Sequence, residues 1–167
     1  MLSDRLLQRL NDQMNWEFFT SHTYLSMASY CAAEGFNGFA NFFEVQAAEE
    51  RAHGMKIYKY INLRSRRAVV AGMKDPLKDF SSVREVFEKG YELEKEVTKR
   101  IYELSDLAAD EREHATTRFL QWLVEEQLEE ESLFAGIVHK LNLIDKNSTA
   151  YIMLDAELAR RTYSPEG

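Results

Sequence analysis

The chain has 167 residues, a length that suits one domain and at which folding buries roughly 70% of the unfolded surface. With 45% hydrophobic residues but only 7 Gly and 2 Pro, it has too much apolar content for disorder and too little turn chemistry for a sandwich or barrel. A formal charge of −7 argues against a surface that tracks phosphates, so nucleic acid is not an expected partner, whereas cations are.

Ser3 and Asp4 are good N-caps, and Leu6, Leu10, Met14, Tyr24, Met27 and Cys31 recur at helical spacing until Gly35, which predicts a first helix over about 4–33. After Gly35 and Gly38 the stripe Phe39, Phe42, Ile57, Tyr60 and Ile61 predicts a second over about 37–64. Each would be roughly 40 Å long at about 1.5 Å per residue. Residues 65–81 carry Gly72 and Pro76 and no sustained period, so they read as a connection. Ser82 and Glu85 form a capping box for a third helix over about 82–109, with Val83, Val86, Phe87, Leu93, Val97, Ile101, Leu104 and Ala108 on its stripe. A polar break at Asp110 to Glu113 precedes a fourth over about 114–142, with Thr116, Phe119, Leu123, Phe134, Ile137 and Leu141. A short fifth, about 148–161, places Tyr151, Ile152, Leu154 and Leu158 on one face.

Short breaks make antiparallel hairpins, whereas a connection of about 16 residues, at most roughly 3.3 Å each, can run the length of a helix. The expected architecture is therefore all-α: a four-helix bundle with one long crossover connection and a short fifth C-terminal helix, in a single domain over 1–167. Cys31 has no internal disulfide partner, the N-terminal stretch lacks the apolar core of a signal peptide, and no run of about 18 apolar residues suggests a membrane span. A cytoplasmic location, away from membranes, is expected.

The informative feature is where the apolar stripes are interrupted. Glu17 falls between Leu10 and Tyr24, Gln46, Glu50 and His53 fall between Phe42 and Ile57, Glu94 falls between Gly90 and Val97, and Gln127 and Glu130 fall between Leu123 and Phe134. All four helices thus point acid at one core. The placement also repeats: Glu17 to Glu50 and Glu94 to Gln127 are both 33 residues apart, and the two halves superpose at an offset of 77 that also pairs Phe42 with Phe119 and Glu49 with Glu126.

Four unpaired buried carboxylates would cost several kcal/mol per ion, and no Lys or Arg lies on these core lines. Two divalent ions would neutralise them. Oxygen-rich ligation with the single nitrogen of His53 suits iron or manganese, whereas a structural zinc site normally uses more Cys or His.

Glu17, Tyr24, Glu50-Arg51-Ala52-His53, Glu94 and the stretch from Phe119 to Glu130 (FLQWLVEEQLEE) make the chain resemble the bacterial non-haem ferritins over nearly its whole length, fifth helix included. The resemblance implies a ferritin-like bundle in which one iron is held at Glu17, Glu50 and His53 and its neighbour at Glu50, Glu94 and Glu130, with Gln127 nearby. It implies a third iron site at Glu49, Glu126, Glu129 and Glu130, and Tyr24 beside the centre. Helix four carries Gln127-x-x-Glu130 where a bacterioferritin or rubrerythrin has Glu-x-x-His, and Arg51 stands where bacterioferritin offers its haem-ligating Met, so no haem is expected. Thr117 and Leu120 stand where animal ferritins place acids that line an iron channel.

The function so implied is iron storage and detoxification by a ferroxidase, which oxidises ferrous iron with dioxygen or hydrogen peroxide and keeps ferric mineral inside a shell of 24 copies. The alternative is a di-iron redox enzyme of the peroxidase or oxidase type with no store; a metal-free helical interaction module is a third reading. For Glu49, Glu126 and Glu129 the reading beside the third site is a solvated acidic edge, and Tyr24 and Trp122 equally suit core aromatics. Arg64, Arg66 and Arg67 read as subunit contacts or solvated residues, and His22, His114 and His139 as surface residues.

Overall fold

A computed structural model describes residues 2–164, so residues 1 and 165–167 of the expected domain lie outside the described residues. The chain order is α1 (Asp4–Ala33), α2 (Asn37–Leu63), α3 (Val83–Asp110), α4 (His114–Leu143) and α5 (Thr149–Leu158), with no strand among the described residues. The α1/α2 and α3/α4 hairpins pack side by side through α1 and α3, and α5 packs on α2. This is the four-helix bundle with one crossover and a short fifth helix.

The helix starts and stops have local causes. Ser3 Oγ accepts from Leu6 N at 3.0 Å at the start of α1, and Ser82 Oγ accepts from Glu85 N at 3.1 Å at the start of α3. The capping box is incomplete, because the Glu85 carboxylate reaches the backbone N of Ser81 at 2.6 Å instead of that of Ser82. Helices α1, α2 and α3 each end in the paired backbone bonds of a Schellman turn, with Gly35, Ser65 and Arg112 in the left-handed region.

The crossover lies along α1 as its length allows. Asn15 Nδ2 donates to Val69 O at 2.9 Å, Val69 N donates to Asn11 Oδ1 at 2.6 Å, Ala71 N donates to Asn15 Oδ1 at 2.8 Å, and Ser26 Oγ donates to Leu77 O at 2.7 Å. Four hydrogen bonds from one face of α1 thus hold the strap where no continuous apolar stripe exists to do it.

Two apolar cores fill the bundle. One is aromatic, built on Phe39, Phe42, Phe43, Phe87 and Phe134 and closed by Tyr151 and Leu154 of α5. The other is mainly aliphatic, built on Leu6, Leu10, Ile57, Ile61, Ile101 and Leu123. Beyond the second core, Arg64 donates to Glu113 at 2.8 and 3.1 Å and to Tyr60 Oη at 2.9 Å. Arg64 therefore ties α2 to the α3/α4 turn within its own chain.

α5 departs from its predicted form twice. It is shorter than 148–161, because Asn41 Nδ2 takes the carbonyls of Leu158 at 3.0 Å and Arg161 at 2.9 Å and turns the chain out of the helix. Ile152 is 64% exposed, since about 100° per residue rotates it off the buried line of Tyr151, Leu154 and Leu158. In α4, Leu120 is fully buried while Phe119 sits at the edge, its ring stacked 3.9 Å from that of Tyr60.

The start of α2 has no side-chain cap of its own; Asp155 of α5 supplies one, its Oδ1 accepting from Phe39 N at 2.8 Å. That approach needs Gly38, where a Cβ would stand 1.7 Å from Asp155 O. Gly38→Ala is expected to lower unfolding stability by about 1–3 kcal/mol or more, whereas Gly72→Ala, in open space, leaves the chemical-denaturation midpoint within error.

Candidate metal centre

Between the two cores lies a polar layer. α1 contributes Gln13 and Glu17, α2 contributes Gln46, Glu50 and His53, α3 contributes Glu94, and α4 contributes Gln127 and Glu130; all are buried. The positions follow from helical geometry: each acid replaces an apolar residue on a stripe that already faces inward, and Glu50 with His53, like Gln127 with Glu130, share a face at i, i+3.

Glu17, Glu50 and His53 each present a ligand atom within 4.8 Å of the other two, and this is the one such group among the described residues. His53 Nδ1 lies 3.6 Å from Glu50 Oε2. The other acids face the same layer but are held by neutral donors. Tyr24 Oη donates to Glu94 Oε1, and Gln127 Nε2 donates to Glu94 Oε2 at 3.0 Å and to Thr98 Oγ1 at 3.1 Å. Gln46 Nε2 donates to Glu130 Oε2 and Gln13 Nε2 donates to Glu17 Oε1, both at 2.7 Å.

These donors do not satisfy the layer. Both oxygens of Glu50, Oε2 of Glu17 and Nδ1 of His53 are buried without a hydrogen-bond partner, and no described Lys or Arg makes an ion pair with any of the four core carboxylates. Buried polar atoms are almost always paired, so a converging set of unpartnered oxygens and a nitrogen has the chemistry of a cation site.

The proton affinities say the same. Burial pushes the carboxyl of Glu17 well above its usual range, and the charge of Glu50 adds to it; burial also raises Glu50, with Glu94 next in effect. Glu94 is raised to about 7 by burial, against the hydrogen bonds of Tyr24 and Gln127. Glu130 is raised to about 8 by burial and then by Glu94, against the Gln46 bond. Tyr24 keeps its proton, since burial and the neighbouring acids hold its pKa well above 10. Without metal, the cluster lessens its charge by retaining protons.

The outer acids gather in one open recess beside this layer, lined by Glu49, Glu126, Glu129 and Glu130 and by Arg161. Glu49 and Glu126 are half-buried and Glu129 is exposed. Glu126 Oε2 lies 4.0 Å from His53 Nε2, and Arg161 Nη2 donates to Glu49 Oε2 at 2.9 Å. Trp122 meets the His53 ring edge-on at 5.2 Å, with Lys56 Nζ over its own ring at 3.7 Å. His22, His114 and His139 are exposed.

Sequence reasoning gave no role to Gln13, Gln46, Thr98 or Arg161. Gln13 and Gln46 stand on the interrupted stripes next to acids, and that was their signal. Thr98 lies one turn after Glu94, while Arg161 reaches Glu49 across 112 residues and has no local signature.

A family model described as a ferritin-like domain matches residues 7–144. The chain is 47% identical over 166 residues to the bacterial non-heme ferritin of Staphylococcus aureus (strain USA300), covering 99% of this chain and 100% of that one, and 44% identical to that of Staphylococcus epidermidis with the same coverage. The chain belongs to the ferritin family. Among solved structures, this ferritin-family chain is similar to an open-pore ferritin from Archaeoglobus fulgidus, with a TM-score of 0.95, 41% identity and coverage of 97% and 100% of the two chains. A humanized archaeal ferritin gives a TM-score of 0.97 at 41% identity, covering 99% and 100%. No described helix of this ferritin chain is long and apolar enough to cross a membrane.

The raised carboxyls set a pH dependence for the metal-free ferritin chain. With Glu94 near 7 and Glu130 near 8, against an ordinary value of 4.5, the folded chain binds more protons than the unfolded one across that interval. Their contribution is fully present below about 4.5 and is lost as pH rises through about 7 to 8. Chelator-treated protein is therefore expected to lose on the order of a few kcal/mol between about pH 5 and pH 8, read from denaturant midpoints, and Glu130→Gln flattens the fall. A midpoint that rises over this range would contradict the assignment.

Proposed function

We propose that the chain is an iron-storage ferroxidase whose paired site is the acidic layer. The observation that carries this reading is the convergence of unpartnered buried atoms on Glu17, Glu50 and His53, in a member of the ferritin family whose relatives are named non-heme ferritins. The donor set fits ferrous iron: four carboxylates and one imidazole suit a borderline cation better than zinc's usual sulfur and nitrogen ligands do.

In this proposal Glu17, Glu50 and His53 hold one iron and Glu50, Glu94 and Glu130 hold its neighbour, with Glu50 shared and Gln127 beside the second. Binding displaces the protons that Glu94 and Glu130 retain near neutral pH, so loading releases acid. Each ferrous ion then gives one electron, and dioxygen or hydrogen peroxide takes the pair. Tyr24 stays protonated and fixes the Glu94 carboxylate by its hydrogen bond. Glu49, Glu126, Glu129 and Glu130 form a third iron site next to the pair, and the ferric product passes to a mineral store enclosed by a shell of 24 copies. No haem enters this scheme.

Glu17→Ala, His53→Ala and Glu94→Ala are each expected to slow the first ferrous oxidation by at least about tenfold while far-ultraviolet circular dichroism stays helical. Oxidation is followed by absorbance after addition of oxidant to the anaerobically loaded protein; wild-type rates in all three variants would defeat the site. Size-exclusion chromatography separates the shell from the alternative of a small redox enzyme, since a shell elutes far ahead of a monomer or dimer and carries iron in that peak.

A further inference from the structure

The recess outside the acidic layer holds one base among its described lining residues, Arg161. Its guanidinium donates to Glu49 at 2.9 Å and lies 4.8 Å from the ring centre of Phe42. The side chain is 21% exposed, and its Nη1 is buried without a hydrogen-bond partner. Nor is this a surface arginine that has found the nearest acid. Asn41 on α2 fixes the carbonyls of Leu158 and Arg161, ends α5 there, and turns Arg161 back onto α2.

The guanidinium already meets part of the negative charge of Glu49. An ion entering the recess must share that carboxylate with Arg161 or displace it, and in either case sits beside a fixed positive charge whose backbone keeps it close, so the arginine opposes it intramolecularly and at high effective concentration. We propose that Arg161 is a tethered counter-cation that weakens metal binding at the outer acidic cluster, so that an ion reaching Glu49, Glu126, Glu129 and Glu130 is passed on and not retained. The inference rests on the functional reading above, in which that cluster takes iron. The opposing account is a clasp that only anchors the segment after α5.

Arg161→Gln separates the two, because it keeps an amide donor on a shorter side chain and removes the charge. Anaerobic calorimetric titration with ferrous iron is expected to show the paired site filling first in both proteins, and the outer ion binding at least tenfold more tightly in Arg161→Gln. Arg161→Lys restores the weak outer binding, and Glu129→Ala in the Arg161→Gln background removes the gained ion. Thermal melts of the metal-free proteins report the anchoring role independently. Outer binding that is unchanged or weaker in Arg161→Gln, or a gained ion that survives Glu129→Ala, overturns the inference. Absence of ions at the paired site in wild type and variant alike would instead defeat the functional reading beneath it.

Discussion

Desolvation of Glu17, Glu50, Glu94 and Glu130 is the constraint around which the bundle is organised, because a carboxylate taken out of water costs several kcal/mol unless a proton or a cation meets it. The amides of Gln13, Gln46 and Gln127 and the hydroxyl of Tyr24 each give one hydrogen bond to a carboxylate of the layer, which orients the carboxylates but does not neutralise them. The apolar cores on either side supply the burial that offsets the cost, and they also keep water away. The middle of the bundle is thus held together by its ends.

Those ends are built unlike one another. At one, α5 lies across the aromatic core and lends Asp155 to the uncapped start of α2 over a glycine that lets the backbones approach. At the other, Arg64, Glu113, Tyr60 and Thr116 form a closed polar network in which every hydrogen bond has a partner nearby. The network is well satisfied and the midsection is not. A structural polar cluster and a candidate ligand site therefore differ here in a way that depends on unpaired atoms and not on residue type.

Much of this was legible in the residues. The stripes of α1 and α3 predict their buried faces because each is a long amphipathic period, and the acids stand out as breaks in those stripes. The offset of 77 residues superposes the two hairpins without any structural knowledge. What escaped was non-local. The end of α5 depends on Asn41, more than a hundred positions away, and Ile152 was misplaced because a ten-residue helix gives too few turns to define a face. Glu85 has the spacing of a capping box, yet the preceding Ser81 offers it a closer pair of donors. Arg161 carries no periodic or motif signal at all.

The long crossover bears on how the chain reaches this state. Three-residue turns join α1 to α2 and α3 to α4, so each hairpin forms from contacts close in sequence, which are the fast ones. Each hairpin also carries half of the acidic layer: Glu17, Glu50 and His53 on the first, Glu94, Gln127 and Glu130 on the second. Part of the desolvation is incurred when the hairpins close on one another, because Glu94 and Glu130 of the second then face Glu50 of the first. Protons held on Glu94 and Glu130 therefore bear on the docking of the hairpins, whereas Glu17, Glu50 and His53 already converge within the first hairpin alone.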